Sequence, residues 1–132
     1  FGQLGYDRKK EDDWDPVPIK DQLQAFQQLI NDKKVRYLGL SNETPYGVME
    51  FTRVAEELGL PKVVALQNCY SLVNRIDFDT GLNEVCGPKQ CNVGLLAYSP
   101  LAGGFLSGKY LTEAANGEEA QKWRMNQFKG YM

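Results

Sequence analysis

An α/β fold built on a parallel sheet is predicted for this chain, and three observations predict it. VRYLGLS (Val35 to Ser41), VVALQNC (Val63 to Cys69) and VGLLAYS (Val93 to Ser99) are short runs rich in apolar residues that start 28 and 30 residues apart. A segment with helical character precedes each, so the order reads helix, strand, helix, strand, helix, strand. The connections are short, and largely continuous apolar strands point to a sheet covered on both faces, as parallel sheets are.

Each element has a local cause. Ile19, Leu23, Phe26 and Ile30 recur at intervals of four, three and four residues behind Pro18, which predicts an amphipathic helix with one core-facing stripe. Asn31 to Lys34 is its polar turn into the first strand. Thr44-Pro45 combines a hydroxyl cap with proline at the first helical position, Val48, Phe51, Ala55 and Leu58 form the next stripe, and Gly59 stops it. A third, shorter helix is expected from Phe78 to Cys86, ended by Gly87-Pro88. Residues 1–17 and 111–132 carry no clean period and read as loops, with Trp14 and Trp123 their conspicuous large side chains.

Three parallel strands are too few to finish such a fold. A repeat of about 29 residues taken eight times approaches the roughly 250 residues of a (β/α)₈ barrel. The chain is therefore expected to form part of a single barrel domain spanning residues 1–132, with three β/α units across 18–110 and a loop region across 111–132. Its two edge strands would be exposed without neighbouring units, and Leu38, Leu66 and Leu95 would line an uncovered inner face. A small three-layer sandwich is the alternative. The first residue is Phe1 rather than Met, which reads as a chain processed, trimmed or only partly observed.

Composition narrows the function classes. With 132 residues, 42% of them hydrophobic, the chain can bury one core of modest size. Fifteen basic and 17 acidic residues, a net charge of -2 and no long single-sign run give no electrostatic case for nucleic acid or an anionic membrane surface. No apolar run reaches the roughly 18 residues a spanning helix needs, and no signal-peptide pattern opens the chain. Cys69, Cys86 and Cys91 stand in unrelated contexts, and the CxxxxC spacing of the last two suits neither a zinc knuckle nor a redox pair. Free thiols in a reducing, cytoplasmic compartment are expected, or in an organelle stroma or matrix if a transit peptide has been lost.

In parallel α/β folds the chemistry collects at the carboxyl ends of the strands. The residues there are Ser41-Asn42, Gln67-Asn68 and Tyr98-Ser99. These amide, hydroxyl and aromatic groups suit hydrogen bonding to an amide ligand and stacking on a flat ring, and they include no ionisable pair for acid–base work. The plainer reading, that they only cap strand ends, is weakened by their recurrence on three consecutive strands. Gly103 to Lys109 satisfies the GxxxxGK pattern of phosphate-cradling loops. Tyr110 stands where a magnesium-holding Ser or Thr belongs, and Ser99 to Ala102 separates strand from loop, so hydrolysis is not expected. What survives is a phosphate-binding loop in which glycines admit backbone N–H groups and Lys109 supplies a point charge. A glycine-rich surface turn with a solvated lysine is the competing reading.

KVRYLGLSNETPYGVMEF, VALQNCYSLVNR and LLAYSPLAGGFLSGKY resemble three consecutive signatures of the aldo-keto reductase superfamily, closest to its Tas-like and potassium-channel β-subunit branches. The resemblance covers nearly the whole chain. It implies strands five to seven of a (β/α)₈ barrel that binds NADP(H) and moves a hydride between nicotinamide and an aldehyde, ketone or alcohol. It further implies that Ser41, Asn42 and Gln67 hold the nicotinamide carboxamide and that the nicotinamide ring stacks on Tyr98. By the same resemblance Ser99, Leu101 and Gly103 meet the pyrophosphate, Lys109 is the lysine of the family's Gly-Lys-Tyr, and Arg124 faces the adenosine end and its 2′-phosphate. CGPKQCNV is longer and more cysteine-rich than the family's usual turn into the seventh strand, which leaves the end of the third helix open.

FGQLGY resembles the loop after the family's fourth strand, so residues 1–17 are expected there. The family's catalytic aspartate, tyrosine, lysine and histidine sit on earlier strands. This chain contains no histidine, and Tyr6, Tyr37 and Tyr70 do not stand in the context of the tyrosine donor. No catalytic and no metal-ligating residue is assigned. The resemblance implies the cofactor-binding part of an NADP-dependent oxidoreductase with a small carbonyl substrate, inactive by itself, its barrel completed by the same polypeptide or by other chains. A nucleotide-sensing or structural subunit, like the channel β subunits, is the alternative.

Overall fold

The computed structural model describes residues 17–112 and 116–123. The first helix, α1 (Ile19–Asn31), starts directly after Pro18, whose carbonyl accepts from the Asp21 and Gln22 amides at 3.0 and 3.1 Å. It ends in a turn in which Lys33 adopts a left-handed φ of 60° and the Lys34 and Val35 amides both return to the Leu29 carbonyl. That closure uses Val35, so β1 (Leu38–Ser41) begins later than the apolar run predicts. The next helix, α2 (Pro45–Leu58), follows expectation at both ends. Thr44 Oγ1 accepts the Gly47 amide at 3.1 Å, and Gly59 takes the left-handed conformation at φ 62° while the Leu60 amide bonds back to Ala55 at 2.9 Å.

After β2 (Val63–Cys69), a π-helical turn (Phe78–Leu82) runs into a single α-turn, α3 (Asn83–Val85), and then β3 (Gly94–Tyr98). Two 3₁₀ turns follow, Ala102–Ser107 and Lys109–Leu111. A third, Glu118–Lys122, lies where the sequence reads as loop. A 3₁₀ turn needs little more than i→i+3 bonds, here Ala120 to Gly117 and Trp123 to Ala120 at 3.0 Å each, so it leaves no 3.6-residue stripe to detect. The expectations for residues 1–16, Trp14 included, and for Arg124 lie outside the described residues.

The sheet order is β1-β2-β3, all parallel. Three rows cross it: Gly39, Ala65 and Gly94; Leu40, Leu66 and Leu95; Ser41, Gln67 and Leu96. The register slips by one residue between Leu38, which faces Val63, and Gly39, which faces Ala65. Successive rows point to opposite faces. The leucine row packs with Leu23 of α1, Val48 and Phe51 of α2, and Phe78 and Leu82 of the π-helical turn in one core. Leu66 is fully buried there, which stabilises the fold by about 1.5–3 kcal/mol for that side chain alone.

The expectation of an uncovered inner face lined by Leu38, Leu66 and Leu95 is therefore corrected. Leu38 and Leu66 are buried and Leu95 packs partly against the same core. The alternation of small and large residues, Gly39-Leu40, Ala65-Leu66 and Gly94-Leu95, turns the bulk toward the helices and leaves the other face shallow. Among the described residues helices cover one face only, and Leu96 on the opposite face is 55% exposed. The outer edges of β1 and β3 have no strand partner among the described residues.

Candidate functional site

Strand register assembles the polar groups that are far apart in the chain. Ser41 and Gln67 are neighbours in one row on the open face, and both side chains are exposed. Asn42 follows with φ 52°, and its amide bonds to the Gln67 carbonyl at 2.9 Å, carrying the ladder one residue past the strand. Tyr98, at the end of β3, donates its hydroxyl to Asn42 Oδ1 at 2.9 Å. This bond joins the two outer strands across the end of β2, whose Cys69 pairs with Tyr98 in the ladder. Asn42 Nδ2 lies 3.4 Å from Ser41 Oγ, at the long limit of a hydrogen bond.

The pleat splits the third pair named from the sequence. Gln67 faces the open side, whereas Asn68 turns into the covered side, is 6% exposed, and its Oδ1 meets no donor among the described residues. Beyond β2, Ser71 Oγ accepts from the Val73 and Asn74 amides, and Arg75 Nε donates to Asp79 at 2.8 Å. The Tyr70 hydroxyl also donates to Asp79, at 3.1 Å. The Arg75 guanidinium, and after it the Tyr70 hydroxyl, hold the Asp79 carboxyl below the usual carboxylate range. All three cysteines are free thiols, and burial pushes the Cys86 thiol up.

The segment after β3 is dominated by left-handed backbone. Ser99 (φ 52°) and Ala102 (φ 49°) join Gly103 (φ 64°), Gly104 (φ 95°) and Gly108 (φ 79°) in that region. For a residue with a Cβ this conformation costs on the order of 1 kcal/mol or more, and such strain collects at ligand sites. The turn is held by the Ala102 amide on Ser99 O at 2.7 Å, and by the Gly104 and Leu106 amides on Leu101 O. Those bonds leave the Leu101 and Gly103 amides outside them.

Lys109 is half-buried and lies against two aromatic rings. Its Nζ lies 4.9 Å from the Trp123 ring centroid and 5.3 Å from that of Tyr110. The two rings meet edge to face with centroids 5.1 Å apart, and Phe105 stands 6.2 Å from Tyr110. A Cβ on Gly104 would come within 2.9 Å of Lys109 Cε, so the lysine stem runs along the bare side of that glycine. Sequence reasoning singled out Lys109 as a candidate but missed its ring partners, since Trp123 lies in a stretch without periodicity. It also missed the Tyr98–Asn42 bond. Among the described residues no group of three or more His, Cys, Asp or Glu could hold a metal ion, and no helix is long and apolar enough to cross a membrane.

Parallel strands that end in hydroxyl, amide and phenol groups beside a glycine turn define an α/β protein with a candidate ligand site at its strand ends. The aldo/keto reductase family model matches residues 10–131, and the chain belongs to that family. It is 45% identical over 114 residues to Protein tas of Escherichia coli (strain K12), covering 86% of this chain and 32% of that protein. It is 40% identical over 111 residues to an aldo-keto reductase of Babesia bovis, covering 84% of this chain and 39% of the relative. With the L-glyceraldehyde 3-phosphate reductase of Escherichia coli (strain K12) it shares 30% identity over 95 residues, 72% of this chain and 27% of that enzyme. The chain thus spans about a third of the length of the curated relatives it matches.

Proposed function

We propose that this chain is the cofactor-holding portion of an NADP(H)-dependent oxidoreductase acting on an aldehyde or ketone in the cytoplasm. Residues 18–110 supply three β/α units resembling strands five to seven of a (β/α)₈ barrel, residues 1–17 the loop after strand four, and residues 111–132 a loop region. The observation that carries the reading is the Ser41–Gln67 row, bridged by the Tyr98–Asn42 bond, lying beside the left-handed glycine turn.

The residues present fit such a dinucleotide. Ser41 and Gln67 offer exposed donors and acceptors for a carboxamide, and Asn42, whose Oδ1 is engaged by Tyr98, still offers its Nδ2. The half-buried Tyr98 ring is the stacking surface. Ser99, Leu101 and Gly103 present backbone to a pyrophosphate, and Lys109 adds the positive charge. Arg124 is proposed for the adenosine 2′-phosphate. When bound, the nicotinamide supplies or takes up the hydride. This chain's residues orient the cofactor and fix which ring face is offered. Proton transfer belongs to the family's catalytic group outside this chain, so residues 1–132 alone are expected to be inactive. The name of the glyceraldehyde-phosphate reductase relative agrees with an aldehyde as substrate class.

The test uses the full-length protein, with NADPH binding followed by fluorescence titration and turnover by reduction of 4-nitrobenzaldehyde. Binding with turnover is the expected result. Binding without turnover on any carbonyl would support the sensing or structural subunit instead, and no binding of NADPH would overturn both.

A further inference from the structure

We infer that Trp123, together with Tyr110, is a positioning dock for Lys109 that holds its ammonium beside the Gly103-Gly104 turn with its charge left available to a phosphate-bearing anion. The other held cations among the described residues sit on carboxylates: Lys34 on Asp32, Arg53 on Glu50 and Glu57, Lys62 on Glu56, Arg75 on Asp79, and Lys122 on Glu119. Lys109 is held instead by two ring faces, at 4.9 and 5.3 Å. The distinction is chemical. A carboxylate neutralises the ammonium and competes with an incoming anion, whereas an aromatic face restrains the side chain without supplying a counter-charge. Restraint also matters, because a free lysine stem loses rotamer freedom when it captures a ligand, and one already ordered loses less.

The neighbouring backbone is built around that arrangement. The rings brace each other edge to face at 5.1 Å, which fixes the dock before any ligand arrives. Gly104 leaves the lysine stem a channel that a Cβ would close at 2.9 Å. Gly108, left-handed at φ 79°, turns the chain so that Lys109 folds back over the glycine turn rather than outward. Trp123 touches no ligand in this scheme and acts through Lys109.

The inference rests on the reading of the glycine turn as a phosphate site, and its test separates the two. Full-length wild type, Trp123→Leu, Trp123→Phe, Lys109→Met and Lys122→Met are compared without ligand and then titrated with NADPH and with inorganic pyrophosphate. Without ligand, the Trp123 emission, isolated as the difference from Trp123→Phe, is expected to change in Lys109→Met and to stay put in Lys122→Met. Trp123→Leu is expected to weaken both ligands by about three- to tenfold, the range of a partly exposed cation–π contact, while Trp123→Phe retains most of the affinity. Circular dichroism checks that each variant folds, and Lys109→Met with Trp123→Phe keeps the test decisive if Trp123→Leu does not. Trp123 emission indifferent to Lys109→Met, or wild-type affinity in a folded Trp123→Leu, overturns the dock while leaving the cofactor site intact. Wild type that binds neither NADPH nor pyrophosphate overturns the cofactor reading, and the dock's role with it.

Discussion

From Ile19 to Cys69 the chain is held by a continuous apolar core and a parallel hydrogen-bonded ladder, whereas from Ser99 to Trp123 it is held by single-turn hydrogen bonds, left-handed residues and ring contacts. The first region gains its stability from burial, with Leu23, Val48 and Leu66 fully enclosed. The second buries little, carries strained backbone and sets a cation on aromatic faces. Burial and backbone strain are thus divided along the chain, and the strand ends, where the proposed cofactor site lies, are where the two meet. Substitutions in the first region should act on folding, and those in the second on binding.

The sharpest way to break the comparison is to cut equal bulk from both regions. Leu66→Ala is expected to destabilise the full-length protein by about 2–5 kcal/mol, the range for a fully buried leucine. Leu111→Ala, where the side chain is 89% exposed, should stay within about 0.5 kcal/mol. Urea denaturation of both variants decides it, and similar midpoints would mean that the second region is no less a core than the first. A smaller effect probes an element end: Thr44→Ala removes the hydroxyl that accepts the Gly47 amide and should cost about 1 kcal/mol of stability with NADPH affinity unchanged.

At the boundary, Tyr98→Ala should weaken NADPH binding by roughly 1 kcal/mol. Tyr98→Phe, which keeps the ring and loses the bond to Asn42, should fall between it and wild type. If Tyr98→Ala binds NADPH like wild type, the strand-end site is misassigned. The smallest effect is electrostatic. Asp79 has a lowered pKa in the folded protein, so its contribution to stability is present above the unfolded carboxylate pKa of about 4 and is lost as pH falls through the lower folded value. Asp79→Asn should therefore shrink the difference in urea midpoint between neutral pH and the acid range, only slightly because the pair is exposed.

Much of the first region was legible because burial leaves a period in the sequence. The span of α1, the Thr44 and Gly59 caps and the three strands lie within a few residues of where the patterns put them, although Phe26 of the α1 stripe and Leu58 of the α2 stripe are exposed rather than core-facing. The start of β1 was not, since the return of the Lys34 and Val35 amides to Leu29 is a closure that hydropathy does not encode. Which face of the sheet is covered could have been read from the alternation of Gly39, Ala65 and Gly94 with the leucines beside them; the apolar character of the strands masked it. In the second region the glycines announced a turn and Lys109 its charge. The Lys109–Trp123 contact joins residues separated by a stretch with no period, and only folding brings them together.

The one-residue slip between Leu38 and Gly39 has a consequence for how this chain tolerates insertion and deletion. Before the slip β1 runs in one phase with β2, and after it in the other. Had the first phase continued, Ser41 would lie beside Leu66 and its hydroxyl would point among the helices, while Leu40 would take the place beside Ala65 on the open face. Length changes in the turn after α1 can be absorbed ahead of the slip. Removing a single residue between Leu38 and Ser41 would instead invert the strand's two sides, burying a polar group and exposing a leucine with every side chain's chemistry otherwise unaltered.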